Sequence, residues 1–105
     1  MTESIEGRES LPNETEIRKA IERITGDRVY EEMRRLEDET GPTLIEYQST
    51  DEAGDQLDIF YKRAGNYGAN NFAPTCSIEV MYYMGDLPCG GDVKADFVNG
   101  EWVWL

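Results

Sequence analysis

The side chains that most often act as general bases or metal ligands are scarce in this chain, whose 105 residues include two cysteines and no histidine. Histidine is the usual general base near neutral pH and the commonest metal-ligating side chain. Without it, a serine or cysteine nucleophile activated by histidine cannot form within one chain, and neither can most zinc sites. The sequence therefore predicts no catalytic residue, no metal site and no cofactor.

The two cysteines, Cys76 and Cys89, are predicted to be free thiols. Cys76 begins a predicted strand over residues 76–84, and Cys89 follows the far end of that strand. At about 3.3 Å per residue the two lie roughly 25 Å apart, which is far beyond disulfide reach. We expect Cys76 to be a small buried apolar side chain and Cys89 to be more exposed, and the reactivity of Cys89 stays open.

Two loops contain residues that could bind a ligand. Residues 49–55 cluster three acids, but without the alternating Asp-x-Asp-x-Asp-Gly spacing that directs several oxygens at one calcium ion. Residues 63–74 carry Tyr67 and Phe72 among glycines and asparagines, a composition typical of an adaptable binding loop with aromatic anchors. The alternative is a crossover whose two aromatic rings cover the core.

The formal net charge of -12 comes from 22 acidic and 10 basic residues. Phosphate binding needs lysine and arginine, so this balance argues against nucleic acid as a direct partner and favours a basic protein. The alternative is solvation, since halophilic proteins carry such acidic surfaces without any binding role.

The helical pattern is confined to the N-terminal part of the chain. Residues 1–11 show no period and predict a mobile tail. Asn13 with Glu16 forms a capping box, and Gly26 is a helix-ending residue. One face of the predicted helix carries Ile17, Ile21 and Ile24.

A second helix is predicted after Asp27, which would cap it, and before Gly41-Pro42. Its apolar stripe consists of Val29, Met33 and Leu36. Arg28 and Glu31 stand where the first stripe would continue, so the sequence favours two helices bent at residues 25–26 over one long helix.

From residue 43 the period changes to two, which predicts strands. The predicted strands are residues 43–47, 56–62, 76–84, 93–98 and 101–105. Asn99-Gly100 joins the last two in a two-residue turn, because both positions tolerate positive φ. That turn places Phe97 opposite Trp102 and Ala95 opposite Trp104, with Val93 on the same face.

The predicted fold is a two-layer α+β domain over residues 12–105, with two N-terminal helices on one face of an antiparallel sheet of about four to five strands. The opposite face then mixes acids with apolar side chains, where a solvated face should be polar. The predicted partner-binding residues are Glu46, Asp58, Phe60, Tyr67, Phe72, Glu79, Met81, Tyr83 and Asp96. If the helices covered the other face, this surface would move to Cys76, Ile78, Tyr82 and the two tryptophan side chains.

These features predict a small acidic non-enzymatic binding protein of inhibitor, immunity or counter-defence type, which engages a basic protein and could do so by mimicking the charge of nucleic acid. The alternative is an acidic housekeeping or halophile-adapted domain that acts as a homodimer or binds a small ligand. A further alternative is a small enzyme or ligand-binding domain that uses the 63–74 loop with carboxylates such as Asp86 or Asp92 for acid–base chemistry. No apolar run spans a bilayer and no leader is present, so we expect a soluble cytoplasmic protein without membrane contact.

Overall fold

The computed structural model describes residues 11–64 and 75–105. These residues form one helix and six strands. In chain order the elements are α1 (Glu14–Thr25), β1 (Glu31–Asp38), β2 (Gly41–Thr50), β3 (Gln56–Ala64), β4 (Thr75–Met84), β5 (Leu87–Val98) and β6 (Glu101–Trp104). Each strand pairs antiparallel with the next, so the sheet is a simple meander from β1 to β6. Except for Leu11, the predicted N-terminal tail lies outside the described residues.

Helix α1 begins and ends where its capping residues predict. The Asn13 side chain accepts a hydrogen bond from the Glu16 backbone N–H at 2.9 Å, which satisfies one of the unpaired donors of the first turn. Gly26 ends the helix with a φ of 61°, and its N–H donates to the Glu22 carbonyl. Ile17 and Ile21 are fully buried against the sheet.

The predicted second helix is wrong, because residues 31–38 form the edge strand β1. Its supposed apolar stripe is exposed, with Val29 at 85%, Met33 at 48% and Leu36 at 49% of full exposure. Helix propensity is a weak preference, and pairing with β2 supplies the same backbone hydrogen bonds within a larger sheet. The dense charges of this segment suit a sheet edge, where they oppose pairing with another chain. The predicted fold of two helices on about four to five strands is thus corrected to one helix on six strands.

The core lies between α1 and one face of the sheet. Alternate residues of β2 to β5 contribute to it, as the period-two pattern predicts. The buried apolar side chains of the sheet are Ile45, Tyr47, Leu57, Ile59, Tyr61, Cys76, Ile78, Val80, Ala95 and Phe97. The helix therefore covers the face that carries Cys76 and Ile78, which is the preferred of the two orientations considered from the sequence.

The C-terminal hairpin has the predicted turn and register. Asn99 and Gly100 have φ values of 52° and 87°, and Phe97 and Ala95 lie opposite the two tryptophans. Trp102 donates its indole N–H to the Glu16 carbonyl at 2.9 Å, which joins β6 to the first turn of α1.

Strand β5 is longer than predicted and contains an irregularity that the sequence pattern misses. It starts at Leu87, directly after the turn at Gly85, so most of the predicted link over residues 85–92 is strand. A register shift follows Ile78, which lies opposite Ala95, whereas Glu79 lies opposite Val93. The extra residue moves Val93 away from the core, so its predicted place beside Ala95 is wrong.

Both cysteines are free, as predicted. Cys76 is buried and Cys89 is exposed. The Cys76 Sγ lies 3.2 Å from the Tyr61 hydroxyl, and burial raises the pKa of the Cys76 thiol, which is the behaviour of a structural rather than a reactive cysteine.

Stability is expected to fall at alkaline pH because buried phenols lie under α1. Burial, with a further contribution from Glu14, raises the pKa of Tyr47 to about 12, and burial raises the pKa of Tyr61 as well. Below pH 10 both phenols are neutral whether the chain is folded or unfolded, so their full contribution to the free energy of unfolding is present. Above pH 10 the phenols of the unfolded chain ionise before those of the folded chain. For Tyr47 alone we expect the free energy of unfolding to fall by roughly 2–3 kcal/mol as the pH approaches 12.

Denaturant unfolding at pH 8, 10 and 11 measures this loss. Tyr47→Phe removes one of the two phenols, so its stability should decline less steeply above pH 10 than that of the wild type. Equal stability of the wild type at pH 8 and 11 would contradict the prediction.

Candidate protein-binding surface

The sheet face turned away from α1 is covered by no other element among residues 11–64 and 75–105, and we call it the open face. Strand alternation brings seven of the nine predicted partner-binding residues onto it. These are Glu46, Asp58, Phe60, Glu79, Met81, Tyr83 and Asp96. The other two, Tyr67 and Phe72, lie outside the described residues.

Cross-strand pairing sets the central residues of the open face side by side. Glu46 lies opposite Phe60, which in turn lies opposite Glu79. Because neighbouring strands are about 4.8 Å apart, the Phe60 ring lies between two carboxylates. In the adjacent row Asp58 lies opposite Met81. The middle of the face therefore alternates acidic and apolar side chains.

Two of these carboxylates are paired with cations of the same face. Arg34 Nε lies 3.3 Å from Glu46 Oε1, and Lys62 Nζ lies 3.1 Å from Glu79 Oε1. Both pairs are partly exposed, and such pairs contribute about 0–1 kcal/mol each. Lys62 also lies 5.9 Å from the centre of the Phe60 ring. A cation from another protein can therefore displace or join these pairs at little energetic cost.

Asp58 is different, because neighbouring side chains of the open face cover its carboxylate. The residue is only 6% exposed, and it accepts hydrogen bonds from Gln56 Nε2 at 2.9 Å and from the Tyr83 hydroxyl at 3.0 Å. The bond to Asp58 raises the pKa of Tyr83. In this structure Asp58 orients Tyr83 on the open face and contributes little exposed charge of its own.

A groove of about 460 Å³ runs along β4 and β5 beside Phe60 and Met81. It is deepened at Gly91, which lies opposite Met81. A Cβ atom at this position would lie 2.9 Å from the Val80 carbonyl oxygen, closer than real side chains come. The sequence reasoning missed Gly91 and Val93 as parts of this surface, since the register shift that brings them there leaves no signal in the alternation.

The electrostatic character of the open face is acidic. It carries six carboxylates and two cations within the described ranges. The acids are Glu31, Glu46, Asp58, Glu79, Asp96 and Glu101, and the cations are Arg34 and Lys62.

Other kinds of site find little support in the part of the chain that is described. No group of three or more His, Cys, Asp or Glu side chains there is arranged to hold a metal ion. In the acidic turn after β2, the Asp51 carboxylate instead accepts the backbone N–H groups of Ala53 and Asp55, both at 2.9 Å. Across the same residues, no helix is long and apolar enough to cross a membrane.

The described residues form a six-stranded antiparallel meander backed by one helix, and no other element among them covers the acidic, partly apolar open face. Comparison of the chain with protein-family models, with curated proteins and with solved structures finds no match.

Proposed function

We propose that this chain is a small cytoplasmic binding protein without enzymatic activity, of inhibitor, immunity or counter-defence type, whose open face engages a basic protein. The observation that carries the proposal is the setting of Phe60, Met81 and Tyr83, three large side chains that lie among carboxylates on the open face. Apolar side chains with a charged surround have the general anatomy of a protein interface.

The charge of the open face favours a basic partner over a second copy of the chain. Besides the buried Asp58, a face-to-face homodimer would bring five carboxylates of one copy against five of the other, with only two cations on each side. Like charges brought together in this way cost free energy and suppress the wrong partner. The same carboxylates would accelerate encounter with a basic surface.

One natural target is a protein whose basic surface binds nucleic acid. Glu46, Glu79 and Asp96 lie on separate strands of the open face, and such a spread of negative charge can compete with phosphates for lysine and arginine side chains. Under this proposal the chain acts by occupying the nucleic-acid site of its target, and it does not bind nucleic acid itself.

The test is affinity capture from a lysate of the source cell at low and at high salt, with a charge-reversed variant. The double substitution Glu79→Lys and Asp96→Lys changes the net charge by four on the open face. Because steering and contact with a basic partner both depend on these charges, we expect it to weaken capture about tenfold or more. High salt should release the partner from the wild type, since exposed charges are screened.

The matched control is Asp27→Lys with Glu39→Lys, which changes the net charge by the same amount. Asp27 follows α1 and Glu39 lies in the turn after β1, and both are exposed and away from the open face. The control should capture the partner nearly as well as the wild type. Equal loss in both variants would mean that net charge alone matters. Equal retention by all three proteins at both salt concentrations would overturn the proposal.

A further inference from the structure

A second cavity lies on the helix side of the sheet, beside the C-terminal end of α1. Its volume is about 500 Å³, which is within the range of small-molecule sites. Ile24, Leu57, Tyr82 and Trp104 supply its apolar and aromatic walls. It shares none of the predicted partner-binding residues, so what it binds is a separate question from the function proposed for the open face.

Three cations converge on this cavity although the chain as a whole is strongly acidic. They are Arg23, Arg28 and Lys94. The Arg23 guanidinium carbon lies 4.3 Å from the centre of the Trp104 ring, so a cation–π contact holds the group against that ring. Lys94 Nζ lies 5.7 Å from the centre of the Tyr82 ring. Hydrogen bonding to Tyr82 holds the pKa of Lys94 above its ordinary value, so this ammonium stays charged.

Arg28 is positioned by neutral acceptors. Its Nε donates to the Thr50 carbonyl at 2.6 Å and its Nη2 donates to the Ile24 carbonyl at 3.0 Å. These two bonds fix the guanidinium at the junction between α1 and the end of β2. Its other N–H groups donate to no residue within 11–64 or 75–105, and a guanidinium has five N–H donors in all.

The arginines of the cavity contrast with those elsewhere in the fold. Arg35 contacts the carboxylates of Glu14, Glu32 and Glu37. Within the described ranges, no carboxylate lies within 4 Å of a nitrogen of Arg23 or Arg28. In a chain with 22 acidic residues, two fixed guanidinium groups thus keep a positive charge that no carboxylate of the described residues neutralises.

The cavity also has two acids at its rim, Asp51 and Glu52. Asp51 is turned towards the backbone N–H groups of its own turn, and Glu52 is exposed. Neither acid pairs with Lys94, whose nearest carboxylate is that of Asp92 at 3.8 Å. The polar groups directed at the cavity are therefore mainly N–H donors with positive charge.

We propose that this cavity binds a small organic monophosphate that carries an aromatic ring. Arginine forks match the oxygens of a phosphate, and a dianion suits a site with three cations better than a carboxylate does. The aromatic body of the ligand would lie against Tyr82, Trp104 and the aliphatic walls, where stacking and burial of apolar surface add affinity.

The test is a titration of the full chain by NMR, observing the indole N–H of Trp104 and the amide of Lys94, with AMP and phenyl phosphate as probes. Adenosine carries the ring without the charge, and inorganic phosphate carries the charge without the ring. We expect both organic phosphates to shift these resonances, with affinities about tenfold or more above those of adenosine and inorganic phosphate.

Arg23→Gln and Arg28→Gln should each weaken AMP binding about tenfold, since each removes a charged donor. Arg28 also caps the end of α1, so Arg23→Gln keeps the test valid if the Arg28 variant unfolds. Arg18→Gln is the matched control, because Arg18 is an exposed residue of α1 that does not line the cavity. Three results would overturn the proposal: no shift with either organic phosphate, inorganic phosphate binding as tightly as AMP, or unchanged AMP affinity in Arg23→Gln.

Discussion

Replacing Ile78 by alanine is expected to lower the free energy of unfolding by about 2–5 kcal/mol. Ile78 is fully buried at the centre of β4, opposite Tyr61 on one side and Ala95 on the other, under α1. The substitution removes buried methyl and methylene groups and leaves a cavity that the flanking strands cannot close. Equilibrium unfolding in urea, followed by circular dichroism, measures the change.

Met81→Ala is the matched control for Ile78→Ala, since Met81 lies three residues further along β4 on the open face. Met81→Ala should lower the free energy of unfolding by less than half as much as Ile78→Ala, because no helix of the described residues covers the Met81 side chain. The pair of variants therefore tests which sheet face forms the core. A larger loss for Met81→Ala than for Ile78→Ala would show that the helix packs on the opposite face.

The second large effect is expected at Trp102, which joins the two ends of the described chain. Its ring packs edge-to-face on Phe97 at a centroid distance of 4.9 Å, and its indole N–H donates to the Glu16 carbonyl. Trp102→Ala removes both contacts and should lower the free energy of unfolding by about 3 kcal/mol. Denaturant unfolding followed by near-ultraviolet circular dichroism measures this loss.

Trp102→Phe separates the hydrogen bond from the packing. It keeps an aromatic ring against Phe97 and loses only the N–H donor, so a loss of about 1 kcal/mol is expected. The Asn99-Gly100 turn still sets the hairpin register in both variants. If Trp102→Ala were as stable as the wild type, β6 would not anchor the helix.

The elements that were predicted correctly are those whose signals are local. The cap of α1 depends on Asn13 and Glu16, three residues apart, and the last hairpin depends on the two residues of its turn. In both cases the side chains that determine the conformation are neighbours in the chain. The same holds for the alternation of β4, which separates Ile78 from Met81 on opposite faces of the sheet.

The errors occurred where a distant partner decides the outcome. Residues 31–38 have the composition of a helix, but β2 offers them a complete edge for pairing. The sequence pattern places Met33 and Leu36 on the apolar stripe of a helix, whereas in the structure both side chains are exposed at a sheet edge. The shift after Ile78 likewise depends on how β5 fits β4 over its whole length, and it moves Val93 onto the open face.

Which side chains share the open face follows largely from strand alternation. Glu46, Phe60 and Glu79 were assigned to one face by period two alone, and the structure aligns them across neighbouring strands. Their binding role stays a prediction. The groove beside them needs Gly91, whose position depends on the register shift. The cavity lined by Arg23, Arg28 and Lys94 is not predicted by the sequence analysis at all. These three residues are dispersed in the sequence and come together only when α1 lies on the sheet.

The amino-acid sequence by itself determined the acidity of this protein, the capped ends of α1 and the period of its central strands, because these follow from composition and from neighbouring residues. The tertiary structure decided that residues 31–38 form a strand, that β5 shifts its register, and which sheet face α1 covers. Each of these outcomes depends on which distant segment satisfies a set of backbone hydrogen bonds or covers an apolar side chain. That choice is made by the chain as a whole and cannot be read from any short segment of it.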